Sequence, residues 1–143
     1  HSRPYGLYYG RTDYFKGDEI ESLIFSKKNP SKLYIASVNR GLSEIDTETL
    51  SVKHLYSLPK GVLLTDAAIQ NERWFWLSTT CGLYRHDLES SKTICLSHSD
   101  DRFSISSNYV FTSHIDRYGG LWVGTKDGGI NWKGNGQRYF DKI

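Results

Sequence analysis

Five histidines, two cysteines and sixteen acidic residues are the groups in this 143-residue chain that could carry catalysis or hold a metal. Such chemistry needs them at fixed spacings, and no HExxH, GxSxG, P-loop or dinucleotide glycine motif is present. Cys81 and Cys95 fit neither a zinc pattern nor a redox CxxC pair. They read as partly buried free thiols, which behave as small hydrophobes, with a disulfide as the alternative. Asp100-Asp101 falls in a Ser/Asp-rich stretch and reads as a solvated loop. His114, beside Ile115 on an expected inner strand, reads as a buried, hydrogen-bonded imidazole rather than a ligand. Asp66 and Asp116 are the acids nearest the ends of the expected inner strands, and therefore the acids an enzyme would have to use. No catalytic residue, metal site or cofactor is assigned.

Composition narrows the partners. The 18 Lys and Arg against 16 Asp and Glu leave a net charge of +2 without any block of like charge, so there is no electrostatic footprint for nucleic acid or an anionic membrane. No apolar run approaches the roughly 20 residues that span a bilayer, and no signal peptide opens the chain, so the piece is expected to be soluble. Beginning at His1 within what reads as a structural unit, it is expected to be cut from a longer protein. Scarce Ala, absent Met and 20 aromatic residues spread among Gly, Ser and Thr argue for an all-β fold.

The elements that would position any site come from a repeat. Leu33-Tyr34-Ile35-Ala36-Ser37, Phe75-Trp76-Leu77-Ser78-Thr79 and Leu121-Trp122-Val123-Gly124-Thr125 share one pattern of apolar, aromatic, apolar, small and hydroxyl, with the aromatic positions 42 and 46 residues apart. Each is followed by glycine and an aliphatic residue: Gly41-Leu42, Gly82-Leu83 and Gly129-Ile130. Gly6-Leu7-Tyr8-Tyr9 repeats that second half alone. Each repeat reads as four short antiparallel strands; in the third these are Tyr109 to Asp116, Leu121 to Thr125, Gly129 to Lys133 and Gln137 to Phe140. Four such strands per 40 to 50 residues are the signature of a β-propeller blade. The expectation is about three and a half blades of a seven-bladed propeller: a partial blade over 1–16 and blades over 17–57, 58–98 and 99–143. Inner strands such as Ala67-Ala68-Ile69 and Val110-Phe111 should be buried on both sides, and Tyr34, Trp76 and Trp122 should be core aromatics in the wedge between blades.

The run from Ile105-Ser106-Ser107-Asn108-Tyr109-Val110, through Ile115-Asp116-Arg117-Tyr118-Gly119-Gly120-Leu121-Trp122-Val123-Gly124-Thr125, to Gly128-Gly129-Ile130-Asn131 resembles the two-component regulator propeller repeat. The second repeat keeps Trp76-Leu77-Ser78-Thr79 and Gly82-Leu83-Tyr84-Arg85-His86-Asp87; the first has Tyr34 for the tryptophan and Ala36-Ser37 for Gly-Thr. The Asp-box of sialidase propellers and the Trp-Asp dipeptide of WD repeats are missing. The resemblance implies a segment of the periplasmic, ligand-sensing region of an inner-membrane regulator. A histidine kinase would lie in the parent chain, the ligand would be an oligosaccharide, and the parent would form a homodimer.

In a propeller the connections between blades and the turns between second and third strands share one face, in most cases the ligand face. Here it would carry Lys16, Asp18, Asn39, Arg40, Asp101, Arg102, Ser106, Ser107, Asn108, Lys126 and Asp127. Asn39, Arg40, Arg102, Lys126 and Asp127 form the candidate ligand-binding set, because charged and amide groups suit bidentate recognition of hydroxyls and carboxylates. The alternative function is a carbohydrate-active enzyme or lectin-like propeller. An arc of so few blades should also expose apolar faces near Ile20 to Ile24 and near Val110 and Trp122, to be covered by other blades of the parent or by a second copy.

Overall fold

The computed structural model describes the backbone at residues 2–3 and 7–8 and the whole of residues 13–143. All regular structure among the described residues is β, in three antiparallel sheets. The chain divides into two compact units, His1–Lys60 and Gly61–Ile143.

In the first unit, two short strands β1 (Ser2–Arg3) and β2 (Leu7–Tyr8) precede β3 (Ile20–Phe25), β4 (Lys32–Ser37), β5 (Gly41–Asp46) and β6 (Val52–Tyr56). β3 to β6 form an antiparallel meander, and β2 pairs with the outer edge of β6. The partial blade expected over 1–16 rests on Gly6 and Tyr9, which lie outside the described residues. Glycine opens β5 because Gly41 sits at φ 74° and any side chain there would meet the Tyr56 carbonyl. Tyr34, Ile35 and Leu42 supply the buried centre, while Leu23 and Phe25 of β3 are more than 60% exposed.

The second unit holds two four-stranded sheets. The first comprises β7 (Leu64–Gln70), β8 (Trp74–Thr79), β9 (Gly82–Asp87) and β10 (Thr93–Leu96). The second comprises β11 (Val110–Ile115), β12 (Leu121–Thr125), β13 (Ile130–Lys133) and β14 (Asp141–Lys142). Trp76, Leu83, Ile105, Val110, Leu121, Val123 and Phe140 pack into one buried cluster between them. Polar groups cross the same seam. Asp66 Oδ2 accepts from Thr112 Oγ1 and from the Ser113 amide, both at 2.9 Å. Gln70 donates to the Gly119 carbonyl at 2.7 Å while accepting the Trp76 indole N–H at 3.0 Å.

One irregularity recurs in all three sheets. The register of the first strand slips by one residue near its start, skipping Glu21, Thr65 and Phe111 in turn. Each bulge follows a residue paired with the hydroxyl of the repeated motif: Ile20 with Ser37, Leu64 with Thr79 and Val110 with Thr125. In the later two repeats that hydroxyl locks the next turn. Thr79 Oγ1 donates to the Gly82 carbonyl at 2.7 Å, and Thr125 Oγ1 donates to that of Gly129 at 2.9 Å. In these two repeats the motif ends in Thr because its hydroxyl closes the hairpin.

Several expectations are corrected. The last strand is Asp141–Lys142 rather than Gln137 to Phe140: Gln137 closes a turn onto Gly134, and the Phe140 amide bonds to Phe103 while its ring enters the core. His114 is exposed because it shares the face of Trp122, whereas Val110, Leu121 and Val123 carry the opposite face, the one packed against the sheet of β7 to β10. Its partner across the ladder, Trp122, is 37% exposed, and Phe111 is also exposed. Val110 does not belong to an open face but is fully buried. Cys81, in the turn between β8 and β9, and Cys95, on β10, are free and exposed. His86 is buried, bonded through Nδ1 to Thr93 Oγ1 at 2.6 Å.

Trp76→Ala is expected to cost about 3 to 5 kcal/mol, through lost burial, the cavity left behind and an orphaned Gln70. Trp122→Ala is expected to cost clearly less, since its ring lies partly in water. Urea denaturation of the two variants against the parent chain checks this order.

Candidate functional site

The predicted ligand residues are described within each unit. In the first, Asn39 and Arg40 form the turn between β4 and β5 and are exposed. A single carboxylate places that turn: Asp18 Oδ1 accepts the Asn39 amide and the Glu19 amide, both at 2.8 Å. Arg40 lies over the Tyr14 ring, 4.5 Å from its centroid, and spends Nε on the Tyr14 carbonyl at 2.8 Å. Its terminal nitrogens keep their donors. His54 on β6 is half-buried and bonded through Nε2 to Ser57 Oγ at 2.8 Å. Burial, and then the Arg40 charge, lower its pKa from the ordinary value, so the ring stays neutral where a free histidine begins to charge.

In the second unit Lys126 and Asp127 occupy the turn between β12 and β13, both exposed. The Lys126 ammonium stands 5.0 Å from the centroid of Tyr109, a distance at which the ring face attracts a cation. Tyr109 in turn packs edge-on against Phe111. Beneath this turn Ser106 and the fully buried Asn131 exchange bonds: the Ser106 amide donates to Asn131 Oδ1 at 3.1 Å, and Asn131 Nδ2 donates to Ser106 Oγ at 2.8 Å. Gly128 is required because a side chain would strike Ser106. Ser106, Ser107 and Asn108 are thus structural: Ser107 caps the Tyr109 amide, and Asn108 accepts the His98 amide.

Arg102 is not gathered with Lys126 by any bond. It stacks on Phe103 at 4.7 Å, and Phe103 packs on Tyr139. Lys142 clamps this loop by donating to the carbonyls of Arg102 and Ser104. The rings of Tyr14 and Tyr109 beneath Arg40 and Lys126 are the part of this arrangement that sequence reasoning missed. The signal available for Tyr109 was an aromatic residue directly before an inner strand.

The two acids an enzyme would need are both spent. Asp66 holds β11 as described, and Asp116 accepts the Trp122 indole N–H at 2.8 Å with the Tyr118 and Gly120 amides at 2.9 Å. Those bonds, the indole's first, hold the Asp116 carboxyl below its ordinary range, the opposite of what a general acid requires. Among the described residues no group of three metal-ligating side chains occurs.

No family model and no curated relative matches the sequence. Solved structures do match the fold. The extracellular domain assigned to the hybrid two-component system BT4673 from B. thetaiotaomicron superposes with TM-score 0.69 at 19% identity, over 85% of this chain and 16% of its own. That assigned to the hybrid two-component system BT3049 of the same organism gives 0.63 at 18%, over 87% and 17%. An auxiliary nutrient binding protein from Bacteroides ovatus gives 0.64 at 11%, over 87% and 30%. The chain therefore spans about a sixth of the two-component domains it is similar to, and at these identities the likeness is one of fold. It agrees with the resemblance read from the third repeat.

Removing the like charge beside His54 has a defined sign. Because the folded pKa lies below the unfolded one, the neutral ring contributes stability at neutral pH that is lost as the pH falls from the ordinary histidine range through the folded pKa. Arg40→Ala is expected to raise the His54 pKa and to lessen that acid loss. NMR titration of the ring protons, with melting temperatures across the same pH range, checks it.

Proposed function

We propose that this chain is a segment of the extracytoplasmic ligand-sensing β-propeller of a two-component regulator, with 17–57, 58–98 and 99–143 as successive blades. The observation that carries the reading is the threefold recurrence of a four-stranded antiparallel meander, each with a bulge and a glycine turn at equivalent places. The likeness in fold to extracellular domains of two-component systems supports it. On this reading the parent is a periplasmic-facing inner-membrane protein with a histidine kinase, acting as a homodimer, and the ligand is an oligosaccharide. Arg40 and Lys126, cations mounted on tyrosine rings at equivalent turns, are the ligand contacts, with Asn39, Asp127 and Arg102 beside them. A carbohydrate-active enzyme is the weaker reading, since Asp66 and Asp116 have their oxygens occupied by structural donors.

Exposed Leu23 and Phe25 on β3, and Phe111, Trp122 and Ile130 on the sheet of β11 to β14, are the surfaces that neighbouring blades would cover. The isolated chain is expected to self-associate, and sedimentation velocity yielding a strictly monomeric species at high concentration would count against blade-face exposure.

Calorimetry with oligosaccharides is expected to show binding that Arg40→Ala and Lys126→Ala each weaken about tenfold, the loss of one charge-assisted hydrogen bond. Lys53→Ala, on the outer strand β6, should leave it unchanged. Equal effects of all three would remove the assigned face.

A further inference from the structure

A second group of cations without carboxylate partners among the described residues lies away from those turns, within the second unit. A cleft of about 440 Å³ opens between the two sheets, walled by Trp74, Trp76, Arg85, Lys133 and Arg138. That volume is within the range of roughly 300 to 1,000 Å³ typical for small organic ligands, and well above what a simple inorganic ion needs. Arg85 comes from the middle of β9, whereas Lys133 and Arg138 come from the end of β13 and the loop that follows.

No acidic side chain lines the cleft. Neighbouring Arg73 shows the contrast: it also stacks on Trp74, at 4.3 Å, but its guanidinium is paired with Asp87 at 3.0 Å and Glu89 at 3.5 Å. Arg85, half-buried and 4.4 Å from the centroid of the same indole ring, has no ion pair among the described residues. Half-buried Lys133, 5.8 Å from the Trp76 ring, has none either. Burial, and then the Arg85 charge, lower the Lys133 ammonium from its ordinary pKa. Partly desolvated cations without a counter-ion are unfavourable, and an incoming anion relieves both at once.

The neutral polar groups of the cleft are in part committed. Asn71 and Asn135 bond to one another, Gln137 donates to the Tyr139 carbonyl, and Gln70 is taken up by Gly119 and Trp76. Two half-buried cations and no acid face the cleft, so the chemistry it favours is that of an anion. We propose that this cleft binds the carboxylate of a small organic anion, with Arg85 and Lys133 as its contacts and Ile94 and Leu96 as its apolar wall. The site shares no residue with the turns that carry Arg40 and Lys126, so it stands or falls separately from the reading above.

The test titrates the whole chain with sodium glucuronate, and with glucose as the neutral counterpart, at matched ionic strength, following tryptophan fluorescence and heat release. A saturable response to glucuronate and none to glucose is expected. Lys133→Gln and Arg85→Gln should each weaken it at least about tenfold, Arg85→Lys should retain part of it, and Lys92→Gln should not alter it. Circular dichroism and melting curves establish that the variants fold; Lys133→Gln, the milder change, decides if Arg85→Gln does not. Absence of any saturable response to glucuronate, an equal response to glucose, or undiminished binding by a folded Lys133→Gln would overturn the proposal.

Discussion

A four-stranded sheet with two apolar faces must bury both, and in the second unit that requirement is met around Trp76. Its indole is 1% exposed, and its N–H donates to Gln70, whose amide donates onward to the carbonyl of Gly119 in the turn between β11 and β12. Hydrocarbon packing alone would let the sheets slide, because dispersion is not directional. A buried chain of hydrogen bonds that ends on a backbone carbonyl admits one register only. Asp66 makes the same connection at the other end of β7, binding Thr112 and Ser113. Two polar ties and one apolar cluster therefore place the sheets, and the position of every loop at their rims follows.

The bulge repeated in β3, β7 and β11 is the second organising feature. An unpaired residue near the start of the inner strand twists the backbone and re-aims what comes before it. In the third sheet what comes before it is Tyr109, the platform for Lys126. The turns on the far side of each sheet follow a different rule. Asp46 and Asp87 end equivalent strands and cap the amides of Glu48 and Glu89 two residues on, while Leu50 and Ser91 adopt φ near +60° to close the turn. The third sheet replaces this turn with Gly134 to Gln137, so no acid follows Lys133 as Asp87 follows His86. That replacement leaves the charge of the cleft uncompensated.

The arrangement separates two kinds of cation. Arg73 and Lys32 are spent on carboxylates and serve the fold at the surface, where such pairs contribute little. Arg40, Lys126, Arg85 and Lys133 face aromatic rings and have no carboxylate partner among the described residues. A ring holds a cation in place without neutralising it, which suits recognition.

The strand content, the grouping into fours and the glycine turns were legible in the sequence, because spacing, hydroxyl positions and φ > 0 glycines are local properties of each repeat. So was the likeness of the third repeat to the two-component regulator repeat, and the fold is similar to that of extracellular domains assigned to two-component systems. Asn39, Arg40, Lys126 and Asp127 could be assigned to turns for the same reason. What the sequence could not decide was which face of a sheet meets a neighbour. The same skipped residue occurs in β3, β7 and β11, yet Trp76 lies in the seam with the next sheet while the equivalent Trp122 and its cross-strand partner His114 are exposed, on a face that no other described sheet covers. Nor could it show that Arg85 and Lys133, on strands of different sheets, would share one cleft. Convergence of that kind is set by how two sheets pack, through contacts far apart in the chain, and only the tertiary structure contains it.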